Sequence, residues 1–129
     1  MTASANLKGR TRPLVAVVCA IPLLGEAVES ALEFAEVLSF SDRGGEIDGL
    51  LSWLRPDVVI VDSDKAATEA SAFALEHQLP MLHIVVRERR LRLFVAGEWD
   101  YVDNEEGPSP ETIRNVVAGL LYARQGRVR

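Results

Sequence analysis

The sequence of this 129-residue chain predicts an α/β domain built on a doubly wound parallel sheet of five strands. Apolar runs of strand length alternate along the chain with longer segments in which apolar residues recur every three or four positions. Such alternation is typical of parallel sheets that carry helices on both faces. The predicted domain spans residues 13–124, with a flexible leader at 1–12 and a tail at 125–129.

The first two strand–helix units occupy residues 13–54. Residues 13–19 are continuously apolar and Val-rich, as in a strand covered on both faces. A helix follows Pro22, because the apolar residues then recur with helical spacing and proline is tolerated in a first turn. Residues 36–40 form a second strand and 41–45 a turn. The second helix shows a stripe of Ile47, Leu50, Leu51 and Leu54.

The third unit contains the most strongly apolar strand, at residues 57–62. Ser63 is placed to cap a helix that runs from about residue 66 to residue 78, because its hydroxyl can accept a free backbone N–H. Pro80 opens a fourth strand at 81–86. Three consecutive units of this kind predict the doubly wound arrangement.

The alternation breaks after the fourth strand. Residues 87–96 are too few for a loop and a full helix, and Leu91, Leu93 and Val95 alternate with Arg90, Arg92 and Phe94, as in a strand. With a turn at 96–98 and a return at 99–102, the pattern predicts an extended segment or β-hairpin near 88–102 in place of a fourth helix. A short helix is the alternative. The final helix begins with Ser109 as its cap and Pro110 at its first position. Its apolar stripe consists of Ile113, Val116, Val117, Leu120 and Leu121.

The composition is that of a folded domain. Hydrophobic residues make up 48% of the chain and charged residues 26%, enough for a substantial core. The net charge of −5 makes the chain as a whole a poor partner for DNA. A single cysteine excludes an internal disulfide and any multi-cysteine metal site, so we expect a cytoplasmic location. We also expect neither a metal ion nor a cofactor. No apolar run approaches membrane-spanning length, so no membrane contact is expected.

Three segments carry a resemblance to a known family. Residues 55–62 read Arg-Pro-Asp-Val-Val-Ile-Val-Asp, residues 97–102 read Gly-Glu-Trp-Asp-Tyr-Val, and the first strand is followed by Pro-Leu-Leu at 22–24. In this order and spacing they resemble the receiver domain of bacterial two-component response regulators, a flavodoxin-like fold, over nearly all of residues 13–124. The resemblance implies that Asp62 occupies the phosphoacceptor position.

The resemblance also implies that the phosphorylation site is degenerate. Receivers bind Mg²⁺ through an acidic pair after the first strand and contact the phosphate with a hydroxyl and a lysine. The residues at these positions are Cys19 and Ala20, Val85, and Asn104. We therefore expect Asp62 to be a structural carboxylate that accepts from nearby backbone N–H groups or from Lys65. Phosphorylation of Asp62 is the alternative.

One basic cluster stands out in this acidic chain. It consists of Arg87, Arg89, Arg90 and Arg92. Arginine binds carboxylates and phosphates with two parallel hydrogen bonds, and the nearby Trp99 and Tyr101 are residue types that often anchor interfaces. The cluster and the two rings thus form a candidate interaction face for an acidic partner or for nucleic acid. A solvated edge whose charges discourage pairing between sheets is the alternative.

The predicted function is that of a non-catalytic receiver-like module, a pseudo-receiver, and not of an enzyme. It would act through protein–protein contacts and regulate a partner or a linked output domain, such as one that controls transcription. We expect a homodimer, formed through the last helix or the arginine-rich face, and contact with nucleic acid only through a linked domain or the patch at 87–92. Two alternatives stay open: a receiver still phosphorylated on Asp62, and a sensor that binds a small metabolite in the crevice above strands 1 and 3.

Overall fold

The computed structural model describes residues 12–43, 46–102 and 107–128, and the side chains as far as residue 123. This part of the chain forms one six-stranded mixed sheet and four α-helices. The strands are β1 (Leu14–Cys19), β2 (Glu36–Ser41), β3 (Val58–Val61), β4 (Met81–Val85), β5 (Arg90–Val95) and β6 (Glu98–Tyr101). The helices are α1 (Pro22–Ala31), α2 (Ile47–Leu54), α3 (Asp64–His77) and α4 (Pro110–Val128).

The strand order is β2-β1-β3-β4-β5-β6, and the first four strands in this order are parallel to one another. The apolar runs predicted for β1 and β3 are buried along their whole length because helices cover both faces of this part of the sheet. Helices α1 and α4 pack on one face and α2 and α3 on the other. The predicted α/β class and the helical stripe of α2 are confirmed.

The predicted five-stranded parallel sheet is wrong in strand number and in the direction of β5, whereas β6 runs in the same direction as β4. Strand β5 runs antiparallel to β4, and β6 runs antiparallel to β5. The reason is the length of the connection, since only a 3₁₀ turn at Val86–Glu88 and Arg89 separate β4 from β5. A parallel connection needs a dozen or more residues, whereas a few suffice for an antiparallel return.

The hairpin predicted near 88–102 is confirmed as β5 and β6. Val95 and Glu98 form its closing pair, so the turn contains two residues, Ala96 and Gly97. Both have positive φ angles, 55° and 84°. Two-residue turns with two positive φ angles match the right-handed twist of paired strands, and glycine adopts such angles without strain. Ala96 is the less usual residue in this conformation.

Both predicted helix caps are present. Ser63 Oγ accepts the backbone N–H of Ala66 at 3.1 Å, and Ser109 Oγ accepts that of Thr112 at 3.1 Å. Helix α3 begins two residues earlier than the sequence predicts, because Asp64 already occupies its first turn. No helix in the described parts of the chain is both long enough and apolar enough to cross a bilayer.

Candidate functional site

Asp62 follows β3 at the carboxyl end of the sheet, next to the end of β1. Its Oδ1 atom accepts the backbone N–H of Ala20 at 2.7 Å, and its Oδ2 atom accepts that of Ile21 at 3.0 Å. The residue is 8% exposed. Hydrogen bonds to a charged acceptor are about twice as strong as neutral ones, so this carboxylate holds the loop after β1 against the end of β3.

Lys65, the other donor considered for Asp62, points elsewhere. Its Nζ atom donates to the backbone oxygen of Asp42 at 2.9 Å and lies 3.3 Å from a carboxylate oxygen of Glu69. The buried carboxylate of Asp42 in turn accepts from Ser63 Oγ at 2.9 Å. The buried carboxylates of Asp42 and Asp62 therefore each have partners within the chain. Among the described residues, no group of three or more His, Cys, Asp or Glu side chains could hold a metal ion.

Cys19 ends β1 beside Asp62 and is buried. Burial raises the pKa of its thiol, and the negative charge of Asp62 raises the pKa further, while a hydrogen bond with the Gly25 backbone opposes the shift. A methyl group on Gly25 would lie 2.9 Å from Ser39 Oγ and 3.3 Å from Cys19 Sγ. Gly25 thus permits the close approach of α1 to the sheet that buries this thiol.

The positions predicted for the other receiver-site groups hold no side chain that could assist phosphorylation, and Ala20 contacts Asp62 only through its backbone N–H. Val85 ends β4 and is half-buried, and Ala20 is exposed at the start of the loop after β1. The predicted position Asn104 lies outside the described residues. The side chains of Ala20 and Val85 have neither a charge nor a hydroxyl to offer to a metal ion or a phosphate.

An open cavity of about 430 Å³ lies at this edge of the sheet. Its lining includes Cys19, Glu26, Glu29, Ser39, Ser41 and Arg43. The cavity lies over β1 and β2, whereas the crevice predicted above strands 1 and 3 is bridged by Asp62 and the loop that it holds. A larger open cavity, of about 630 Å³, lies between the end of α3, the β5–β6 turn and the last helix, away from Asp62.

A row of stacked side chains covers one face of the hairpin. Arg92 pairs with Tyr101 across the two strands, and Phe94 pairs with Trp99, so their side chains emerge on the same face of the sheet. Arg90 lies on this face too, two residues from Arg92. These five residues are called the arginine–aromatic ladder below.

Guanidinium groups and rings alternate along the ladder. The Cζ atom of Arg90 lies 3.6 Å from the ring centroid of Tyr101, and that of Arg92 lies 4.2 Å from the ring centroid of Trp99. The rings of Phe94 and Trp99 are 4.9 Å apart between centroids. Stacking of arginine on an aromatic ring contributes about 0.5–1 kcal/mol at exposed sites and more where the pair is desolvated. The ladder is therefore held in place by its own contacts.

His83 joins the ladder from β4. It is 1% exposed, and its Nδ1 atom lies 2.9 Å from Nη2 of Arg92. Arginine can only donate, so Nδ1 accepts and the ring proton is on Nε2, which lies 3.8 Å from a carboxylate oxygen of Asp64. Burial lowers the pKa of His83, and the positive charge of Arg92 lowers the pKa further. The imidazole is therefore neutral and orients Arg92.

The predicted interaction face is only partly assembled. Arg90, Arg92, Trp99 and Tyr101 lie together on the ladder. Arg87 lies beyond the end of β4, with its guanidinium 3.7 Å from the carboxylate of Asp64. Arg89 is exposed at the turn between β4 and β5, with a φ angle of 55°.

No role was assigned to His83 from the sequence. A signal was available, because the tight connection between β4 and β5 fixes their register and pairs His83 with Arg92. Glu88 was also missed as the acceptor of the Tyr101 hydroxyl, at 3.0 Å.

Comparison of the chain with protein-family models, curated proteins and solved structures found no match.

Proposed function

We propose that this domain is a non-catalytic signalling module of the receiver type, which acts through protein contacts and without aspartyl phosphorylation. The observation that carries the proposal is the position of the Asp62 carboxylate, both oxygens of which accept backbone N–H groups of the loop after β1. Phosphorylation would require one oxygen to leave its N–H partner and attack a phosphoryl group. It would also require a metal ion to screen the charges that meet there.

The chemistry around Asp62 supports the proposal further. In a receiver, phosphate gains a hydroxyl and a lysine as new partners, and these contacts drive the change of conformation. Here the strand end of β4 carries Val85, and the nearby amine of Lys65 is engaged by Asp42 and Glu69. A phosphate on Asp62 would therefore gain few partners and would break one of the two hydrogen bonds to the loop after β1. The alternative, a receiver still phosphorylated on Asp62, lacks these contacts.

A phosphorylation assay tests the proposal directly. The protein is incubated with Mg²⁺ and acetyl phosphate, alongside a receiver known to be phosphorylated, and intact mass is measured. We expect no phosphoryl adduct on this chain. An acid-labile adduct that disappears in Asp62→Asn and persists in Asp64→Asn would overturn the proposal.

Regulation of a partner or of a linked output domain would then depend on surface contacts. The ladder is one candidate surface, and the exposed Tyr122 on α4 marks another. We propose a homodimer through one of these two surfaces. Sedimentation over a range of concentrations tests this proposal, because Tyr122→Ser should dissociate a dimer formed through α4 and Arg90→Glu one formed through the ladder. A monomer at all concentrations would overturn the dimer while leaving contacts with other proteins intact.

A second candidate function is the sensing of a small metabolite. The cavity beside Cys19 supports it, since open α/β sheets bind ligands at the carboxyl ends of their strands. Its location over β1 and β2 differs from the predicted crevice above strands 1 and 3. A thermal-shift screen against metabolites tests this function, because a ligand that binds the folded state raises the melting temperature. Arg43→Gln should abolish a shift caused by binding in this cavity.

A further inference from the structure

The exposed end of the arginine–aromatic ladder offers donors that the described residues leave unused. Arg90 and Tyr101 are both exposed, and the ring of Tyr101 covers one face of the Arg90 guanidinium. No carboxylate in the described parts of the chain lies within ion-pair distance of Arg89, Arg90 or Arg92. A guanidinium stacked on a ring still has its N–H groups at the edge of its plane, and this is where carboxylates bind.

The nearest acidic groups are engaged elsewhere. Glu88 accepts from the Tyr101 hydroxyl, and Asp64 lies between His83 and Arg87. In Arg92, Nη2 donates to His83 and Nε is buried, so Nη1 is the nitrogen that these contacts leave for a partner. The ladder is thus a stacked and pre-oriented group of arginines in a chain of net charge −5. Its charge is complementary to an acidic partner and opposite to that of the chain as a whole.

The spacing of the arginines indicates the form of this partner. Arg90 and Arg92 are two residues apart on one strand, so their Cα atoms are separated by about 6.8 Å along β5. Alternate residues of an extended peptide have the same separation and project to one side. Carboxylates at every second position of such a peptide would therefore match the arginines in register.

The ring contacts argue against single-stranded nucleic acid as the occupant. Proteins that bind single strands present open ring faces on which successive bases stack. Here Arg92 lies over Trp99, Phe94 packs against the same indole, and Arg90 lies over Tyr101.

We propose that the arginine–aromatic ladder, with Arg89 at its exposed end, docks an extended acidic peptide segment of a partner protein. The carboxylates of alternate peptide residues pair with Arg90 and Arg92, and the peptide lies over the ring of Tyr101. This inference rests on the proposed function, because it names the class of partner for a module that works through protein contacts.

Fluorescence anisotropy with labelled peptides tests the inference. The probes are a peptide of alternating Glu and Ser, the matching peptide of alternating Gln and Ser, and an oligothymidylate of the same charge as the first peptide. We expect only the Glu–Ser peptide to bind, and Arg90→Gln to weaken its binding by about tenfold. Arg114→Gln, an equal charge change at an exposed position of α4, should leave the affinity unchanged.

Three outcomes would overturn the inference: no binding of the Glu–Ser peptide, tighter binding of the oligothymidylate, or an equal loss of affinity in Arg114→Gln. The fluorescence emission of Trp99 provides a second measurement. It is recorded in the Trp53→Phe variant, because the chain has two tryptophans and Trp53 is 80% exposed. Binding of the Glu–Ser peptide should shift the emission of Trp99, and an unchanged emission at saturation would place the peptide elsewhere. The proposed function fails separately, through a phosphoryl adduct on Asp62, whether or not the peptide binds.

Discussion

Nη2 of Arg92 donates to Nδ1 of His83 across 2.9 Å, so a buried histidine and a half-buried arginine hold each other in place. The contact requires neutral imidazole, because a protonated Nδ1 cannot accept. It also explains why Arg92 can carry its charge close to Trp99 without a carboxylate partner among the described residues. The orientation of Arg92 in the ladder thus depends on the protonation state of His83.

Mild acid should destabilise the fold through His83. Its pKa in the folded protein is lowered from 6.5 by burial and by Arg92, so the unfolded chain takes up a proton first as the pH falls. The stability that neutral His83 contributes is fully present above about pH 6.5. It is lost as the pH falls from there through the lowered pKa of His83 in the folded state. Urea unfolding between about pH 7.5 and 5.5 measures this loss.

The two histidines of the chain provide the comparison for this prediction. His83→Asn retains an acceptor for Arg92 but has no titrating group, so the pH dependence should flatten. His77→Asn, at an exposed position of α3, should retain the pH dependence of stability. An unchanged slope in His83→Asn would assign the acid sensitivity to other groups.

Removal of the Asp62 charge should destabilise the domain. The carboxamide in Asp62→Asn has one acceptor oxygen, whereas the carboxylate accepts from both Ala20 and Ile21. We expect a loss of about 1.5–3 kcal/mol in the free energy of unfolding, as for hydrogen bonds to charged groups. Asp100→Asn at an exposed position of β6 should change it by less than about 0.5 kcal/mol. Equal stabilities for the two variants would contradict the structural role of Asp62.

Replacement of Gly25 by alanine should destabilise the domain, although alanine is the better helix former. Its methyl group would lie 3.2 Å from Ser39 Cβ, so α1 or β2 must shift. We expect Gly25→Ala to lose about 1–3 kcal/mol of stability in urea unfolding. Gly119→Ala is the matched control, since no described residue lies within 4 Å of its added methyl, and it should gain up to about 1 kcal/mol. A gain in both variants would show that α1 has room beside the sheet.

The hairpin turn should tolerate asparagine better than alanine at its first position. Ala96 has a φ angle of 55°, and asparagine followed by glycine is a preferred pair for such turns. We expect Ala96→Asn to stabilise the domain by about 0.5–1 kcal/mol. Ala118→Asn, at an exposed helical position, should destabilise it by about 0.5 kcal/mol. A loss of stability in Ala96→Asn would indicate a different turn.

Cys19 should react slowly with alkylating agents. Burial and the charge of Asp62 raise the pKa of its thiol above 9.0, so little thiolate forms at neutral pH. We expect iodoacetamide labelling at about pH 7.5 to be at least about tenfold slower than in urea. Ser39→Cys in a Cys19→Ser background places the thiol at an exposed position and should react at the ordinary rate. Comparable rates for Cys19 and this control would contradict the burial of the native thiol.

Strand and helix positions were well predicted because local patterns decide them. The apolar runs of β1 and β3, the stripe of α2 and the caps Ser63 and Ser109 need only neighbouring residues to be read. The short segment after β4 was also informative, since its length excluded a crossover helix. The direction of β5 relative to β4 was predicted wrongly, because it depends on how the chain turns at Val86–Glu88.

The candidate sites were less predictable because their partners are distant in sequence. Asp62 accepts from a loop more than 40 residues earlier in the chain, and backbone donors leave no mark in a sequence. The arginine cluster was visible as a run of charges. Strand register decided which of these arginines stack on aromatic rings, because it placed Arg90 and Arg92 on one face.

The sequence by itself determined that the chain alternates strands and helices, that the segment after the fourth strand is too short for a loop and a full helix, and that four arginines cluster at 87–92. Residue type, local periodicity and connection length are sufficient for these conclusions. Only the tertiary structure decided that the sheet is mixed, that Asp62 is held by Ala20 and Ile21, and that His83 orients Arg92. The physical reason is that these contacts join groups brought together by strand order and register, which arise when the whole core packs.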